Sequence, residues 1–98
     1  MTRYRILSPA QDEIAAAALF YEDASSGLGE AFLDDVRHVI DRLCQYPDSG
    51  VIVRGSLRGV LLSRFPFRII YSVEGDSILV VAVAHQRRRP GYWIERRW

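Results

Sequence analysis

The chain has 98 residues, 49% of them hydrophobic, and thirteen basic against twelve acidic side chains. That content excludes a disordered chain and suits one domain over residues 1–98. The longest uninterrupted apolar run, Ile78 to Ala84, is far short of the ~20 residues a membrane helix needs, so no membrane partner is expected.

Tyr4-Arg5-Ile6-Leu7 reads as a short first strand. Ser8-Pro9-Ala10-Gln11 reads as a helix start, with Ser8 at the N-cap, Pro9 at the first helical position and Gln11 completing a capping box. Ala10, Ile14, Ala17 and Tyr21 then form one apolar stripe, and Ser25-Ser26-Gly27 breaks the helix. A second helix is predicted from about Gly29 to Tyr46. Phe32, Val36, Val39 or Ile40, and Leu43 make its stripe, with Asp34, Asp35, Arg37, Asp41 and Arg42 facing water and His38 exposed among them. Pro47-Asp48-Ser49-Gly50 ends it, and the short connection between the helices makes an antiparallel hairpin.

Residues beyond Gly50 read as strand: Arg58 to Phe65, Phe67 to Val73 and Ser77 to Ala84, the last two joined by a Glu74-Gly75-Asp76 turn. Ile78 to Ala84 is apolar on both faces, as in a central strand covered on both sides. The order is β-α-α-β-β-β. The fold class is α+β, an antiparallel sheet with an N-terminal helical hairpin on one face.

Charge is unevenly spread over these elements. Residues 1–50 hold nine acids and four arginines, whereas residues 51–98 hold nine arginines and three acids. Such polarity points to an anionic partner for the second half. Every basic residue is arginine, which clamps phosphate but is a poor proton-transfer group. Cys44 is alone, so it makes no internal disulfide and a poor case for metal, and no cofactor is expected. The first ten residues lack the apolar core of a signal peptide, which makes the cytoplasm the expected location.

Strand alternation places Arg68, Ile70 and Ser72 on one side, Phe67, Ile69, Tyr71 and Val73 on the other, and Leu79, Val81, Val83 and His85 together on the last strand. If Arg68 and His85 share the open face, they form a cationic site with Arg64 and with Arg87, Arg88 and Arg89. Metal-free RNA cleavage needs a base, an acid and cations around one phosphate. His85 is the proton-transfer candidate, Arg68 the phosphate clamp, and Tyr92 and Trp93 are candidate base-stacking rings. Structural readings stand beside these. His85 as a hydrogen-bonder at a strand end, Arg68 paired with Asp34 or Asp35, and Trp93 and Trp98 packing the tail onto the sheet also fit the sequence.

Several stretches resemble the RelE/ParE superfamily of toxins from type II toxin–antitoxin modules, over nearly the whole chain. They are S-P-A-Q-D-E-I, Y-P-D-S-G, R-F-P-F-R-I-I-Y and I-L-V-V-A-V-A-H-Q-R-R-R-P-G-Y-W, and the last two are similar to ParE-like plasmid-stabilisation proteins. The resemblance implies a growth-inhibiting toxin neutralised by a cognate antitoxin with an acidic segment, in a homo-oligomer or a toxin–antitoxin hetero-oligomer. It also implies one of two targets. ParE-like members poison DNA gyrase without a nuclease site, which is the preferred reading here. Binding to the target or to nucleic acid then falls to Arg64, Arg87, Arg88, Arg89, Tyr92, Trp93 and Arg96. RelE-like members are ribosome-dependent mRNA endonucleases, and in that alternative Arg68 and His85 match family catalytic positions. The chain lacks the lysines common in RelE-type sites, and after Pro47 only Asp48 stands where histidine-bearing nucleases carry a glutamate base. A non-toxic nucleic-acid-binding or scaffold domain is the third reading.

Overall fold

The computed structural model describes residues 3–96 of the chain. Strand β1 (Arg3–Ile6) leads into helix α1 (Ser8–Ala24) and helix α2 (Leu28–Gln45). A 3-10 turn (Pro47–Ser49) follows, then strands β2 (Val51–Arg54), β3 (Leu57–Leu61), β4 (Phe67–Glu74) and β5 (Ser77–His85). The five strands make one sheet in the order β1-β5-β4-β3-β2.

The β-α-α-β-β-β order is thus present, with two additions. Residues 51–54 form a fifth strand, β2, paired antiparallel with β3. The sheet is also mixed, because β1 pairs parallel with β5 from Arg3 opposite Ser77 to Ile6 opposite Val80. Parallel pairing follows from the connection: chain leaving β1 passes through two helices and three strands before reaching β5, so no hairpin forces the strands to oppose. The other three pairings are antiparallel.

One face of the sheet carries the hairpin. Phe32, Val36, Val39, Ile40 and Leu43 of α2 and Ala10 and Ala17 of α1 pack on Ile69, Tyr71, Ile78, Val80 and Val83. The helices approach closely where α2 begins: a Cβ on Gly29 would lie 2.5 Å from the Ala18 carbonyl oxygen. Glu22 fixes that corner, its carboxylate accepting the amides of Gly27 (3.0 Å) and Gly29 (3.1 Å), which are donors a helix start leaves unpaired. The capping box expected at α1 does not form. Ser8 is already helical behind Leu7, and Gln11 turns back to donate to the Ile6 carbonyl (3.2 Å).

Asp35 is not among the solvent-facing acids of α2. It is 5% exposed, and its carboxylate accepts the Ser63 (3.2 Å) and Arg64 (2.8 Å) amides, closing the loop between β3 and β4. Asp34 instead pairs with Arg37 at 2.7 Å. Tyr71 ties the segment after α2 to the sheet: its hydroxyl donates to the Pro47 carbonyl (2.7 Å) and accepts from the Gly50 amide (3.0 Å). Gly50 is required there, because a Cβ would sit 2.6 Å from the Tyr71 oxygen.

Candidate functional site

The other face of the sheet is covered by the C-terminal segment. Trp93 is 7% exposed and packs with Leu57, Ile70, Leu79, Val81 and Ala82. It is therefore a core residue, as its alternative reading had it, and is not a free stacking platform for bases. Trp98, the other tryptophan expected to hold the tail, lies outside the described residues.

A bulge sets which side chains share this face. Ile70 pairs with Ala82 but Tyr71 pairs with Val80, so Val81 is the extra residue on β5. An inserted residue reverses alternation. Leu79, Val81 and Ala82 face the tail, while Val83 faces the helices. The expected grouping of Leu79, Val81, Val83 and His85 on one face is corrected accordingly. His85 pairs across the strands with Phe67, and its ring meets that of Phe67 edge-on at 5.1 Å on the helix side. Arg68 pairs with Ala84 on the tail side, where Gly59 of β3 leaves room for its stem. Opposed residues in an antiparallel pair point the same way, so Arg68 and His85 project to opposite faces.

Between β4, the end of β5 and the tail lies a cavity of about 410 Å³. Arg68, Arg88 and Arg89 line it, over a floor that includes Leu61, Ile70 and Ala84 and a wall that includes Tyr92 and Trp93. Gln86 and His85 complete the polar rim, and His85 also borders the shallow groove beside Ala16 and Ala17 of α1. Arg64, Arg87 and Arg96 do not line the cavity. Arg64 sits on the β3–β4 loop, and Arg87 donates its amide to His85 Nδ1 (3.0 Å). Among the described residues, no carboxylate pairs with Arg64, Arg68, Arg87 or Arg89, and Arg68 has neither Asp34 nor Asp35 as its partner.

The residue that organises the tail is Glu13 of α1, which the sequence reading passed over. Its carboxylate, 11% exposed, accepts the Val83 amide (3.0 Å), Arg88 (3.1 Å), both terminal nitrogens of Arg96 (3.0 Å each) and the Tyr92 hydroxyl. Arg96 also donates to the Val81 carbonyl at 2.9 Å. Glu13 and Arg96 thereby pair one amide and one carbonyl of β5 beyond the residue where β1 ends. The Arg88 guanidinium lies over the Tyr92 ring, 3.6 Å from its centre.

Burial alone would raise the Glu13 pKa. The hydrogen bonds from Arg96, Tyr92 and the Val83 amide, with the Arg96 charge, outweigh it and hold the carboxyl below its ordinary value. Burial, followed by the Glu13 hydrogen bond and charge, pushes the Tyr92 phenol well up. The Glu13 hydrogen bond raises Arg96 further. Tyr92, Arg88 and Arg96, read as target contacts, are thus committed to an internal network.

Two helices on one face of a mixed five-stranded sheet, with a basic cavity under a strapped C-terminal segment, define a small α+β domain. Residues 4–90 match the family model described as the ParE toxin of the type II toxin–antitoxin system, parDE. The chain belongs to that family. Among solved structures, it is similar to a chain of the chromosomal ParDE toxin–antitoxin system from P. aeruginosa, with a TM-score of 0.63 and 18% identity. That similarity covers 87% of this chain and 96% of the other. No curated protein matches the sequence. Among the described residues, no helix is long and apolar enough to cross a membrane.

Proposed function

We propose that this chain, as one domain over residues 1–98, acts in the cytoplasm as a toxin that stops bacterial growth by poisoning DNA gyrase. A cognate antitoxin holds it inactive. The observation that carries the gyrase reading over mRNA cleavage is the separation of Arg68 and His85 onto opposite faces of the sheet. A phosphodiester cleaved without metal needs a base and an acid close to one phosphate. Around the cavity stand guanidinium groups, which stay protonated, the Gln86 amide and a phenol already bound to Glu13, while the one imidazole, His85, leaves the opposite face of β5, reaches only the rim and accepts the Arg87 amide at Nδ1. Such a lining attracts and positions an anion, and with a single imidazole at its edge it lacks the paired base and acid that cleavage needs.

Arg64, Arg68, Arg87 and Arg89, which pair with no carboxylate among the described residues, form the surface offered to the target or to an acidic antitoxin segment. Exposed Leu19 and Phe20 on α1, and Val51 and Ile52 on β2, offer apolar anchors for the antitoxin.

Pulse-labelling DNA and protein synthesis within minutes of inducing the chain alone tests the proposal. DNA synthesis should stop first while translation continues. An early stop in translation would favour the endonuclease, and unimpeded growth would leave a non-toxic binding domain.

A further inference from the structure

We infer that Glu13 is a positioning residue for target engagement: it clasps the C-terminal segment and thereby shapes the three-arginine cavity. This rests on the reading that the cavity face meets the target. Residues 86–96 contain no helix or strand of their own. Two anchors hold the segment. One is Trp93 in the apolar patch, and the other is the group of donors that converge on Glu13 from α1.

The convergence is a complete carboxylate-binding site. A backbone amide, a phenol and two guanidinium groups surround one carboxylate with charge-assisted bonds, the strongest class of protein hydrogen bond. Donors on β5 and on the tail share this acceptor, so the carboxylate fixes the tail relative to the strand. Arg88 links the clasp to the cavity directly, since its guanidinium bonds Glu13 while its side chain lines the cavity beside Arg68 and Arg89. Loss of the carboxylate leaves Arg88, Arg96 and Tyr92 without their common partner, and the mutual repulsion of Arg88 and Arg96 is then uncompensated.

A vacated site of this kind takes a free carboxylate in place of the missing side chain. The test uses the full chain with Glu13→Ala and Glu13→Gln, formate as the probe, and trypsin cleavage within residues 86–96 read by mass spectrometry. Inhibition of purified gyrase is measured alongside. All assays run at a temperature where far-UV circular dichroism matches the wild type.

Both variants should be cleaved in the tail at least tenfold faster and should inhibit gyrase at least tenfold less. Formate, and not chloride at equal ionic strength, should restore both properties to Glu13→Ala and neither to Glu13→Gln, whose amide still fills the space. Unchanged tail cleavage in both variants overturns the clasp. Faster cleavage with wild-type gyrase inhibition overturns its role in target engagement. Arg68→Glu separates this from the underlying reading: if it retains full inhibition with the clasp intact, the cavity face is not the contact. If Glu13→Ala does not fold, Glu13→Gln and the reciprocal Arg96→Ala, each measured for tail cleavage and inhibition, decide the same question.

Discussion

Removing one oxygen, by Tyr71→Phe, isolates the contact that holds the segment after α2 onto the sheet. The Tyr71 ring is fully buried and would stay in place, so packing is nearly preserved. What is lost is the donation to the Pro47 carbonyl at 2.7 Å and the acceptance from the Gly50 amide at 3.0 Å. Gly50 is buried, and its amide would be stranded, whereas Pro47 is only half-buried and its carbonyl can turn toward water. A lost hydrogen bond costs about 1 kcal/mol and a stranded buried donor about 1–3, which places the total near ~2 kcal/mol. For a domain of this size that lowers Tm by roughly 8–16 °C. Urea unfolding followed by circular dichroism should show the midpoint falling by about 1 M at unchanged slope. Gly50→Ala should also destabilise, because its Cβ meets the Tyr71 oxygen at 2.6 Å, and the two changes together should cost less than their sum. A midpoint shift worth under ~0.5 kcal/mol for Tyr71→Phe would refute the reasoning, by showing that water or a shifted loop replaces both bonds.

Gly29→Ala should loosen the helical hairpin, since its Cβ would meet the Ala18 carbonyl oxygen at 2.5 Å, and that oxygen is helix backbone that cannot swing aside. Against a helix-propensity gain of about 1 kcal/mol, overpacking of about 1–3 kcal/mol leaves a net loss expected in thermal unfolding, and a rise in Tm would contradict it. Acid should release the tail. The folded Glu13 pKa lies below the unfolded value of 4.5, so its contribution is present above pH 4.5 and is lost as pH falls through the folded pKa. Trp93 fluorescence in a Trp98→Phe background should hold steady down to that region and then change. Release near pH 6 would contradict the clasp's assignment to a carboxylate.

The elements were legible wherever periodicity met punctuation. Ser25-Ser26-Gly27 and Glu74-Gly75-Asp76 mark two of the turns, and Tyr71 and Ile69 face the helices as the alternation of β4 required. Faces were lost on β5 for a physical reason. A run such as Ile78 to Ala84 is apolar on both sides, so nothing in it records that Val81 is a bulge, and Val83 and His85 fall on the face opposite to the one strict alternation gives them.

The acids of the helices carry a signal in their spacing. Glu13 lies three residues after Ala10 and four before Ala17, on the buried stripe of α1. Asp35 stands between Phe32 and Val39 on that of α2. A carboxylate on a buried stripe needs donors, and an arginine-rich tail or an adjacent loop supplies them. Which donors it finds depends on residues 28 to 83 positions away, and helix periodicity holds no information at that range.

The basic, aromatic tail consequently has two parts with different work. Trp93, Tyr92, Arg88 and Arg96 build the molecule, and Arg89 with Arg68 and the neighbouring Arg87 face outward. The measurement that bears most directly on what that surface does is purified chain incubated with DNA gyrase and supercoiled plasmid, beside a translating ribosome reaction with a defined mRNA. Gyrase poisoning predicts cleaved plasmid trapped on gyrase and intact mRNA. Untouched gyrase with mRNA cut only on the ribosome would contradict it.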